Sequence, residues 1–97
     1  TYPNIHEVIP TSFALHQNYP NPFNPITTLR YDLPQESDVT LTIYDITGRM
    51  VQTLVNELQQ AGMKKVIWNA SDVSSGVYIY RIQAGNFTQT RKMVLLK

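Results

Sequence analysis

The chain has 97 residues, 42% of them hydrophobic and 15% charged, with eight Lys plus Arg against seven Asp plus Glu and no Cys. That length supports a single core, and a net charge of +1 without a basic cluster argues against nucleic acid as a partner. No apolar run approaches the roughly 18 residues of a membrane span, no basic stretch precedes a short apolar one at the N-terminus, and disulfides and thiolate metal sites are ruled out.

Because the sequence opens at Thr1 rather than Met, it reads as a piece of a longer protein. Residues 1–12 carry Pro3 and Pro10 with weak patterning, so they are expected to be a linker from an upstream segment, leaving 13–97 as the folded domain. Period-2 alternation then recurs in short blocks punctuated by Gly, Pro and Asn, the pattern of an all-β domain. Residues 13–17 form a short first candidate strand. In 26–33, Thr27, Leu29, Tyr31 and Leu33 alternate against Ile26, Thr28, Arg30 and Asp32, and Pro34 ends the run because it withholds a ladder donor. In 39–46, Val39, Leu41 and Ile43 face one way and Thr40, Thr42 and Tyr44 the other.

Residues 50–60 are ambiguous. Val51, Leu54, Val55 and Leu58 fit a helical spacing, but Gly48 and the preceding strand favour a hairpin partner with Val51, Thr53 and Val55 on one face. Gly62 supplies a turn before a strand over 63–68, which ends in Val66, Ile67 and Trp68. Residues 77–84 and 87–96 are separated by Gly85-Asn86 alone, which predicts a tight primed-turn hairpin. Its register sets Ala84 against Phe87, Ile82 against Gln89, Tyr80 against Arg91, Tyr78 against Met93 and Val77 against Val94, with Tyr78, Tyr80, Ile82 and Met93 facing the core. Tyr80 and Arg91 are then placed for a cation–π contact. Seven strands in all predict an immunoglobulin-like antiparallel β-sandwich.

Tyr19-Pro20-Asn21-Pro22-Phe23-Asn24-Pro25 interrupts this pattern with a stiff segment that lacks three backbone donors, which suits a crossover between sheets. Residues that could carry chemistry are sparse. His6 and His16 are ten residues apart in the least regular region, and Glu7 beside His6 points the opposite way in an extended chain, so the spacing of a metal site is missing. Asp32, Asp38, Asp45, Glu57 and Asp72 lie at strand ends and turns, where turn chemistry explains them without catalysis. The polar run 69–75 could hold a hard cation through Asn69, Asp72 and carbonyls, though an Asx turn explains the same residues. Asn69-Ala70-Ser71 and Asn86-Phe87-Thr88 match the glycosylation acceptor pattern, which is common by chance. Trp68, Tyr78 and Tyr80 could form a stacking platform, but their alternation favours the core. No glycine-rich phosphate loop is present, no cofactor is implied, and an enzyme is not expected.

Five motifs in order carry a resemblance: Tyr19-Pro-Asn-Pro-Phe-Asn-Pro, Ile43-Tyr-Asp-Ile-Thr-Gly-Arg49, Gln60-Ala-Gly62, Ser75-Gly-Val-Tyr-Ile-Tyr80 and Lys92-Met-Val-Leu-Leu-Lys97. Together they resemble the type A C-terminal sorting domain of cargo proteins of the bacterial type IX secretion system, over 13–97. The resemblance implies a seven-stranded, non-catalytic sandwich at the end of a larger secreted protein. It further implies passage from the periplasm through an outer-membrane translocon to the cell surface, without membrane insertion, and usual removal by a surface sortase that attaches the cargo to an anionic lipopolysaccharide. The family's motifs fall on Pro20, Asn21, Pro22 and Phe23, on Gly76 and Tyr78, and on Lys92, Met93, Val94, Leu95, Leu96 and Lys97. Gly76 can take a positive φ, and Tyr78 can bury its ring while its hydroxyl finds a partner. If the last strand is an edge, a translocon could read it by strand addition; otherwise it merely completes the sandwich. The same pattern is also similar to the domain of flagellar hook-capping proteins and to sandwich modules that bind carbohydrate or support a catalytic domain. A sorting signal is expected to end its polypeptide, whereas such a module should tolerate an added tail.

Overall fold

Alternation of apolar and polar residues dictates the elements of the computed structural model, which describes residues 9–97; His6 and residues 1–8 of the expected linker lie outside the described residues. Seven strands form: β1 (Ala14–Leu15), β2 (Ile26–Leu33), β3 (Ser37–Asp45), β4 (Met50–Gln59), β5 (Gly62–Asn69), β6 (Gly76–Ala84) and β7 (Phe87–Leu95). They make two antiparallel sheets, one ordered β1-β2-β5 and the other β4-β3-β6-β7. Relative to a constant-type immunoglobulin sandwich, the fourth strand has left the first sheet to lie beside β3 in the second.

The inward sets are those the alternation predicts. Leu29, Leu33, Leu41, Ile43, Tyr80, Ile82, Met93 and Leu95 are wholly buried, and Thr27, Tyr31, Val39, Trp68 and Tyr78 nearly so. The β6–β7 register matches the expected one at every position, from Ala84↔Phe87 to Val77↔Val94. Of the two loop residues only Gly85 has positive φ, at 58°, which makes the turn type II′.

In β4 the expected face is wrong. Thr53 is exposed, while Val51, Leu54 and Val55 pack against the core. Leu41 pairs with Val55 and Thr42 with Thr53, leaving Leu54 unpaired; Ile43 pairs with Gln52 and Tyr44 with Met50, leaving Val51 unpaired. Each bulge inserts one residue and shifts the phase of the alternation, so two bulges give a strand the apolar spacing of a helix.

Asp45 ends β3 by turning the chain. Its Oδ1 accepts from the Thr47 amide (2.9 Å), the Thr47 hydroxyl (2.6 Å) and the Arg49 amide (3.0 Å). Those bonds, the Thr47 hydroxyl foremost and then the Arg49 amide, hold the carboxyl below its ordinary pKa.

The expected cation–π pair is not the one formed. Tyr80 and Arg91 are direct cross-strand neighbours, but Arg91 Nε donates to the Leu15 carbonyl at 2.6 Å. The guanidinium that lies over a ring is that of Arg81, 5.2 Å from the Tyr44 centroid, with Nη2 donating to the Tyr44 hydroxyl at 2.8 Å.

Candidate functional site

The proline-rich segment joins β1 to β2 within one sheet and, on the way, runs along the edge of β7 in the other. It is therefore not a crossover between sheets. The peptides Tyr19-Pro20, Asn21-Pro22 and Asn24-Pro25 are cis. Phe23 forms a parallel bridge to Leu95: its amide donates to the Val94 carbonyl at 3.0 Å, and its carbonyl accepts from the Leu96 amide at 2.9 Å. Asn21 Oδ1 accepts from the Val94 amide at 3.0 Å, and Gln17 Nε2 donates to the Lys92 carbonyl at 2.8 Å. Strand β7 is thus an edge whose outward polar groups from Lys92 to Leu96 are largely engaged, and an added strand there would have to displace 17–23.

The Gly76–Tyr78 motif reaches the proline-rich one through aromatic rings. Phe23, Trp68 and Tyr78 form a buried chain of rings, with centroids 5.8 Å apart for Phe23–Trp68 and 5.7 Å, edge-on, for Trp68–Tyr78. The Tyr78 hydroxyl donates to the Ser74 carbonyl at 2.6 Å, the partner its position called for. Gly76, at φ 153°, starts β6 opposite Leu95. Beyond β7, the Lys97 amide donates to Ser75 Oγ at 2.9 Å and its ammonium to the Ser71 carbonyl at 2.7 Å. Pro20, Asn21, Pro22 and Phe23, Gly76 and Tyr78, and Lys92 through Lys97 therefore occupy one end of the sandwich. Met93 and Leu95 point into the core, whereas Lys92, Leu96 and Lys97 are exposed.

A buried polar node beneath this site ties two motif residues, Pro20 and Tyr80, to Asn18 and Thr27, which lie outside the motifs. Asn18 Nδ2 donates to Thr27 Oγ1 (3.0 Å) and to the Pro20 carbonyl (3.1 Å), and the Thr27 hydroxyl donates to that carbonyl too (2.9 Å). The Tyr80 hydroxyl donates to the His16 carbonyl (2.6 Å) and accepts from the Asn18 amide (2.9 Å). Burial is the main cause that pushes the Tyr80 pKa up to about 12, against the opposing effects of the Asn18 bond and the Arg91 charge. The sequence signal for this node was the inward tyrosine itself, since a buried hydroxyl needs partners from another element.

The remaining candidates take ordinary places. His16 Nε2 is 2.9 Å from Asp32 Oδ2 on the exposed face of the first sheet. In the 69–75 loop, Asn69 Oδ1 accepts from the Ser71 amide at 3.0 Å and from its hydroxyl, an Asx turn. Among the described residues, no three His, Cys, Asp or Glu gather as a metal site would need. Trp68, Tyr78 and Tyr80 are buried, so no sugar can stack on them.

A family model described as "Secretion system C-terminal sorting domain" matches residues 17–96. No curated protein matches the chain. Two solved structures from Porphyromonas gingivalis share the fold. One is PorZ, described as an essential bacterial surface component of the type-IX secretion system, 21% identical over 87% of this chain and 12% of that one, with a TM-score of 0.62. The other is dimeric latent PorU, 22% identical over 84% of this chain and 9% of that one, with a TM-score of 0.65. With 80 residues matched in order, and its motif residues assembled at one end of a seven-stranded sandwich, this chain belongs to the family of secretion system C-terminal sorting domains.

Proposed function

We propose that the end of the sandwich where the three motifs meet is the surface that a type IX translocon recognises when it carries an upstream cargo, joined through 1–12, across the outer membrane to the cell surface. The observation that supports this reading is the grip of Asn21 and Phe23 on Val94 and Leu96, which joins two motifs distant in sequence into one surface. The role is recognition, not catalysis. Lys92, Leu96 and Lys97 supply the exposed contacts, while Phe23, Gly76, Tyr78, Met93 and Leu95 set their positions. A surface sortase acts on the delivered protein afterwards.

The test fuses residues 1–97 to the C-terminus of a periplasmically exported fluorescent reporter, in a translocon-competent host and a translocon-deficient one. Surface or released fluorescence in the competent host alone is expected, and release without the domain adds the sortase step. The double variant Leu96→Glu with Lys97→Glu should fold yet leave the reporter in the periplasm. Periplasmic retention of the folded parent in both hosts, or normal export of the double variant, overturns the proposal.

A further inference from the structure

Among the described residues, strand β5 is the one long edge that nothing covers. It pairs with β2 on one side only, in an unbroken register from Leu33↔Gly62 to Ile26↔Asn69. The His16 amide reaches the Arg30 carbonyl, and Thr28 exchanges both backbone bonds with Tyr19, so the even residues of β2 face β1 and the odd ones face β5. By the alternation of an antiparallel ladder, the amides and carbonyls of Met63, Lys65 and Ile67 point away from β2. No other backbone group among the described residues bonds to them. Sheet edges are usually blunted, and the other three here are: β1 has two residues, β4 carries two bulges, and β7 is covered by 17–23.

The exposed side chains along β5 define what would fit. Met63 and Ile67 are 63% and 64% exposed, and Lys65 stands exposed between them. Lys65 lies directly opposite Arg30, and like charges so placed destabilise a sheet. The only ion pair among the described residues, His16–Asp32, uses neither cation. A shallow depression lined by His16, Arg30, Asp32, Met63, Lys64 and Lys65 adjoins them. The edge thus presents apolar, cationic and apolar positions in alternation, beside a second cation that lacks a carboxylate. A second copy paired antiparallel about Lys65 would set lysine against lysine, which the same charge rule disfavours.

We propose that the free edge of β5 docks an extended acidic segment of a partner protein. The segment adds as an outer strand, with a Glu or Asp facing Lys65 and apolar residues two positions away on either side, over Met63 and Ile67. This inference does not depend on the translocon reading above.

The test titrates the 15N-labelled chain with the capped peptide Thr-Val-Thr-Glu-Thr-Val-Thr and with its Lys-centred counterpart, reading amide shifts and exchange protection. The Glu peptide should shift and protect the amides of Met63, Lys65 and Ile67, and the Lys peptide should bind about tenfold more weakly. Lys65→Glu should reverse that preference. Ile67→Pro removes one outward donor at a position where an edge strand tolerates proline; it should abolish binding while the β2 and β7 amides keep their protection. Equal binding of both peptides, perturbation mapped to β4 or β7, no response at millimolar peptide, or peptide-free self-association protecting the same three amides would each overturn the proposal.

Discussion

Phe23 and Leu95 sit side by side in a parallel bridge, the Phe23 amide 3.0 Å from the Val94 carbonyl and the Leu96 amide 2.9 Å from the Phe23 carbonyl. Phe23 is also buried against Trp68. Phe23→Ala removes the ring and leaves a cavity, at an expected cost of about 3 to 5 kcal/mol, a large share of the about 5 to 15 kcal/mol of such a domain. Urea denaturation measures the loss. Hydrogen exchange should show the Leu96 amide accelerated beyond the global change, because the backbone bridge loosens with the ring.

Asn21 acts through one bond. Asn21→Ala leaves the Val94 amide without its acceptor, at an expected cost of about 0.5 to 1.5 kcal/mol. Asn21→Asp retains an acceptor and should restore protection of that amide. Exchange at Val94 in the two variants distinguishes loss of the bond from general loosening.

Tyr80 bridges β6 to residues 16–18, between β1 and the proline-rich segment. Tyr80→Phe strands the His16 carbonyl and the Asn18 amide, for an expected loss of about 2 to 4 kcal/mol. Since burial raises its folded pKa to about 12 from an ordinary value of 10.0, the neutral hydroxyl favours the fold. That contribution is complete below the unfolded pKa and is lost as pH rises through the folded one. Burial raises Tyr31 as well, so tyrosinate absorbance should show late-titrating groups near the alkaline unfolding transition, with one fewer in Tyr80→Phe.

At the acid end, Asp45 is lowered from 3.8 by the Thr47 hydroxyl and the Arg49 amide. Its stabilisation of the β3–β4 turn is present above the unfolded pKa and disappears as pH falls through the folded one. Asp45→Asn should flatten the stability profile below about pH 4, by this linkage, and leave the alkaline limb unchanged. Chemical denaturation at stepped pH tests both limbs.

The sequence made some of this legible and hid the rest for physical reasons. A two-residue loop fixes hairpin register, so every β6–β7 pair could be placed from Gly85-Asn86. The inward faces of β2 and β3 followed from clean alternation. In β4 the bulges after Gln52-Thr53 and at Val51 broke the period on which any reading of its face depends. The Asn21–Val94 bond, between residues 73 apart, and the Phe23–Leu95 bridge beside it leave no local trace, because a parallel bridge across a sandwich end has neither a turn residue nor a repeat to announce it. The Asn18 node was hidden likewise: an Asn beside a proline-rich run looks like a turn residue, and its burial depends on Tyr80 from a distant strand.

The latch between Phe23 and β7 closes most of the polypeptide into one non-covalent ring, and a ring responds unequally to insertion and to deletion. Lengthening a loop within it changes the closure entropy only logarithmically, about 0.6 kcal/mol for each doubling, so extra residues at the β3–β4 tip should be absorbed easily. Removing residues 94–97 instead leaves nothing to close upon: Phe23 loses both backbone partners and Asn21 its amide at once, and the proline-rich segment loses most of the edge it lies on. The early half of the domain therefore cannot reach its final form until translation has passed residue 96, so the structure records, in one pair of hydrogen bonds, that the chain was copied that far.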